Sequence, residues 1–163
     1  MPGPILRLIF SVATNSGMIV SMRSEAHERR VQLMRAKTLH DRLSTLEPGG
    51  FAQWAMLPSW VRPALDDTRP TTAVPDTTLP LTAANVAGWM RDFVELSGSC
   101  DRWYVSTGLW MFPWLSVRTI VPDWLEQIVK VRSEEITLLA GSRDVLVAFY
   151  VEEYEFQAFR RSG

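Results

Sequence analysis

The chain has 163 residues, 47% hydrophobic and 21% charged, with a net charge of −1. That length supports one core, folding burying roughly 70% of the unfolded surface, and the composition excludes disordered and collagen-like classes. The small net charge argues against a nucleic-acid or membrane-surface binder working through bulk electrostatics, and the single Cys100 excludes an intramolecular disulfide framework and a multi-cysteine zinc site.

The charge is unevenly spread. Residues 1–65 carry eight Arg/Lys against four Asp/Glu, and residues 66–163 carry nine against fourteen, so the front is basic and the back acidic. Fifteen of the seventeen basic residues are Arg, which reads as the codon bias of a GC-rich bacterial genome. Arg7 interrupts the short apolar run at the N-terminus and no basic segment precedes it, so a secretory leader is not expected. With no stretch of about 18 uninterrupted apolar residues, no membrane span is expected either, and the expected location is cytoplasmic.

In chain order, Ile5–Val12 and Met18–Met22 flank Thr14-Asn15-Ser16-Gly17 and read as a hairpin, with residues 1–22 readable as an extension outside the core. Ser24 to about Leu46 predicts the first helix, with Leu33, Ala36, Leu39, Leu43 and Leu46 as its apolar stripe and Arg23, Arg30 and Lys37 on a separate face. Residues 51–61 predict short helical turns broken by Pro58 and Pro63, and the Pro- and Thr-rich stretch 64–80 predicts a surface loop.

Thr82 opens the second predicted helix, with Leu81 and Val86 as a hydrophobic staple and Val86, Trp89, Phe93 and Leu96 as the buried stripe. Residues 102–121 predict two strands or one bulged strand, and residues 123–132 a short helix. Glu135–Ala140 and Val145–Val151 flank Gly141-Ser142-Arg143-Asp144 as a hairpin, with a bulge expected at Glu152-Glu153 before Tyr154, Phe156 and Ala158 resume the alternation. The expected architecture is one α+β domain over residues 1–163, its two main helices packed on an antiparallel sheet of four to six strands formed mostly by the C-terminal half.

Motifs that carry chemistry are missing. There is no GxGxxG, Walker A or GxSxG pattern, so no cofactor is expected. His27 and His40, thirteen residues apart on one predicted helix and so roughly 20 Å apart, cannot share a metal ion. Cys100 reads as a small structural residue rather than a nucleophile. No catalytic residue is assigned, and an enzyme is the less favoured class.

The one local constellation is Glu152, Glu153 and Glu155 between Tyr150 and Tyr154. Three readings apply: shielded carboxylates acting as acid and base, a solvated strand edge that discourages aggregation, and an acidic patch for a basic protein. Trp54, Trp60 and Trp114, in Pro-rich surroundings, are expected to be exposed, whereas Trp89, Trp103, Trp110 and Trp124 are expected in the core. The basic face of the first helix reads as a solvated, ion-paired surface, so nucleic-acid binding is not expected.

The function these residues favour is a non-enzymatic protein-binding module, an immunity or antitoxin-type inhibitor of a bacterial toxin being one concrete instance. Its contacts would be Glu152, Glu153, Glu155, Tyr150, Tyr154 and Trp114, and self-association is compatible with it. The alternative is a small-molecule-binding or hydrolytic domain whose cavity is lined by Trp103, Trp110, Phe149 and Phe156.

Overall fold

The structure, a computed structural model, describes residues 9–133 and 135–163, with side chains described from residue 21 onward. Among the described residues four α-helices accompany one seven-stranded antiparallel sheet: α1 (Ile9–Arg42), β1 (Phe51–Ala52), α2 (Val61–Asp66), β2 (Thr77–Pro80), α3 (Val86–Leu96), β3 (Arg102–Ser106), β4 (Trp114–Arg118), α4 (Trp124–Val131), β5 (Glu135–Ala140), β6 (Val145–Val151) and β7 (Glu155–Ser162). The strand order is β1-β4-β3-β5-β6-β7-β2, so the α+β class holds and the central strands come from the C-terminal half.

The period of two along each strand separates two apolar faces. On one face Trp103, Val105, Leu115, Val117, Ile136, Leu138, Val147 and Phe149 pack with Met90 and Val94 of α3 and Leu125 and Ile128 of α4. Trp103 stacks on Trp124 with centroids 6.5 Å apart, and Phe149 receives the edges of Trp89 and Phe93. On the other face Trp114, Leu139 and Leu146 lie under Trp54, Leu57, Trp60 and Val61. Both faces of β6 are therefore covered, as its unbroken apolar run requires.

Helix α1 joins the core only through its end. Ala36, Leu39, Leu43 and Leu46 are buried, whereas Leu33 is exposed and residues 21–30 are exposed throughout. The expected hairpin in residues 5–22 is replaced, from Ile9 on, by helix, its first four residues lying outside the described segment. Ser16-Gly17 sits in that helix because an interior glycine costs only about 1 kcal/mol, and Ser24, where the first helix was expected to start, is an interior position.

Three other expectations change. Residues 77–80 are not loop but an edge strand, with Thr77 to Pro80 paired to Ala158 to Glu155. The helix expected to open at Thr82 is α3 and starts three residues late, capped by Asn85, whose Oδ1 accepts from the Gly88 amide at 3.0 Å, and Leu96 is exposed while Met90 and Val94 fill the core. The bulge expected at Glu152-Glu153 is a full reversal that separates β6 from β7, and with β1 and β2, also unexpected, the sheet reaches seven strands. The preceding hairpin turns at Gly141, where a Cβ would come 2.8 Å from the Arg102 carbonyl oxygen, so only glycine fits that approach of β3.

Candidate functional site

The reversal between β6 and β7 carries the acidic constellation. Val151 pairs with Phe156, and the Glu152 amide donates to the Glu155 carbonyl at 2.9 Å, closing the turn. Glu152, Glu153 and Tyr154 are exposed, while Glu155 returns to the sheet and accepts from Gln157 Nε2 at 3.0 Å. Placing adjacent carboxylates at a turn keeps both in water, where their mutual repulsion is screened. Tyr154 is 77% exposed, and the neighbouring Glu153 carboxylate, accepting from the phenol, raises its pKa above the ordinary value.

The next element adds apolar surface. The Leu81 amide, just past β2, reaches the Tyr154 carbonyl at 3.4 Å, so Leu81 stands beside the turn. Leu81, Val151 and Tyr154 are all exposed there, next to Glu152 and Glu153. An aromatic ring and two aliphatic side chains edged by carboxylates make an amphipathic tip. Leu81, expected to staple the following helix, comes beside Val151 and the acidic turn only because β2 pairs with β7.

Two expected contacts lie elsewhere. Trp114 has no exposed surface: it is an inward position of β4, and Trp54 packs its edge on it with centroids 5.7 Å apart. Tyr150 is half-buried, its ring against Phe159 and its hydroxyl 3.2 Å from the buried Thr68 Oγ1. Burial pushes its phenol pKa up. Trp54 and Trp60 are partly buried over the second face, whereas Trp110, expected in the core, is 62% exposed beside Ser24–Arg29 of α1.

The four residues proposed to line a ligand cavity do not converge. Trp103 is in the core stack, Trp110 is on a surface loop, and Phe149 and Phe156 border a crevice of only about 30 Å³, with room for about one water. Cys100 donates its thiol proton to the Arg102 carbonyl at 2.8 Å and packs against the core. Among the described residues no helix is long and apolar enough to cross a membrane, and no three His, Cys, Asp or Glu side chains group as a metal set.

No family model matches this chain, and neither a curated protein nor a solved structure shows significant similarity to it.

Proposed function

We propose that this protein is a non-enzymatic binding module that captures a basic partner protein through the tip between β6 and β7. The carrying observation is Tyr154, 77% exposed at an ordered turn and flanked by exposed carboxylates. Tyrosine offers large contact area at low entropic cost, and a carboxylate rim steers a cationic partner and fixes its orientation. Glu152 and Glu153 stand in water rather than in the apolar setting that acid–base chemistry requires, which favours recognition over hydrolysis. An immunity or antitoxin-type inhibitor in the bacterial cytoplasm, masking a toxin whose active surface is basic, fits this chemistry.

Charge reversal tests the reading. In lysate of the source organism, the wild-type chain should retain a basic protein in stoichiometric amount, and Glu152→Lys/Glu153→Lys should lose it with the melting temperature within a degree or two. Equal capture by the variant removes the tip from the interface.

A further inference from the structure

A second, differently charged site lies on α1. A cleft of about 480 Å³ runs between the last two turns of that helix, the loop after β3 and the end of α4. That volume falls within the roughly 300–1,000 Å³ of small-molecule sites. Its charged groups are all arginines: Arg35 and Arg42 from α1, and Arg132 at the end of α4. Met34, Leu39, Leu109 and Val131 supply an apolar floor between them.

One of the three guanidiniums is fixed by the fold. Arg132 Nη1 donates to the Thr107 carbonyl at 3.1 Å, while its Nε is buried with no acceptor among the described residues. Gly108, at φ +72°, lays the loop against that guanidinium, and a Cβ there would stand 3.4 Å from Nη2. Arg35, Thr38 and Arg42 share one helical face, the two arginines roughly 10 Å apart along the axis. Thr38 and Thr107 spend their hydroxyl protons on the Met34 and Phe112 carbonyls, so the guanidiniums are the cleft's side-chain donors.

Among the described residues none of these three arginines has a carboxylate within ion-pair distance, whereas Lys37, on another face of the same helix, pairs with Asp41 at 2.9 Å. The carbonyls at the ends of α1 and α4 account for cations at Arg42 and Arg132, but that field fades within one turn and does not reach Arg35. A ligand accounts for all three.

We infer that this cleft binds a small phosphorylated molecule, its phosphoryl oxygens held by Arg35, Arg42 and Arg132 and its body lying on the apolar floor. Planar, forked guanidiniums match phosphoryl oxygens in pairs, and three of them suit a dianion or diphosphate. This site is independent of the acidic tip.

Calorimetric titration of the full chain with pyrophosphate and with adenosine monophosphate, at ionic strength fixed with sodium chloride, tests the inference. Saturable 1:1 binding is expected, with adenosine alone binding at least about tenfold more weakly than its monophosphate. Arg35→Ala and Arg42→Ala, both at exposed positions, should each weaken binding by about tenfold without lowering the melting temperature, whereas Arg29→Ala, elsewhere on α1, should leave it unchanged. No saturable binding, or equal weakening by Arg29→Ala, overturns the site. So does a short RNA duplex that binds more tightly than pyrophosphate and is not displaced by it, because the basic helix would then be reading a nucleic-acid backbone.

Discussion

The hydroxyl of Tyr150, on β6, meets Thr68 Oγ1 at 3.2 Å across the second face of the sheet. Thr68 already donates to the Leu65 carbonyl at 2.9 Å, so Tyr150 is the donor. This bond ties the segment after α2 to a strand covered on both faces, and it takes Tyr150 out of the partner surface that its neighbour Tyr154 forms.

Tyr150→Phe should cost about 1 kcal/mol, the net worth of one such hydrogen bond. Its pH dependence follows from the raised folded-state pKa. The phenol's contribution is fully present below the unfolded value of about 10 and is lost as pH rises through the folded one. Urea unfolding between pH 8 and 11 should show the wild type losing stability above about pH 10 and the variant losing less.

Trp114→Ala should destabilise by about 3–5 kcal/mol, because the side chain is wholly buried and Trp54 leans on it. Below its lowered midpoint the variant should capture the partner with unchanged affinity. Lost affinity in a folded variant would place Trp114 in the interface after all.

Asp76 holds the edge strand. Its Oδ2 accepts from the Arg160 amide at 2.6 Å and lies 3.4 Å from Arg161 Nη1, whose Nη2 in turn donates to the Asp67 carbonyl at 2.9 Å. Asp76→Ala should cost about 1–2 kcal/mol and speed hydrogen exchange in β2 far more than in β5. Because Leu81 follows β2, partner affinity should fall as well; a measurement that finds it unchanged would detach Leu81 from the contact surface.

The end of α1 and its exposed length should respond differently. Leu43→Ala, at a fully buried position, should cost about 2–5 kcal/mol, and Leu33→Ala, at an exposed one, less than about 0.5. Paired urea titrations separate them.

The α+β class, the hairpin around Gly141 and the helix over residues 123–132 were legible because each rests on a local pattern: alternation, turn residues or three-four spacing. The start of α1 was not, since Ser16-Gly17 resembles a turn and its actual cost in a helix is small. Nor was β2, because Thr77–Pro80 is polar and becomes a strand only by pairing with β7. At the site, the acidic turn and Tyr154 were visible as a local cluster, while Leu81 and the arginine cleft required long-range contacts. Trp110 and Trp114 exchanged places for a related reason: proline nearby suggested exposure for Trp114, but strand register decides which side chain points inward.

The most direct measurement is photo-crosslinking from the tip. A photoreactive phenylalanine at position 154, compared with the same residue at Val74, an exposed apolar position outside the tip, is irradiated in source lysate. A single basic protein crosslinked from position 154 and absent from position 74 is the predicted result. Crosslinks that are equal at both positions, or confined to position 74, would contradict the assignment of the β6–β7 tip as the surface on which this protein acts.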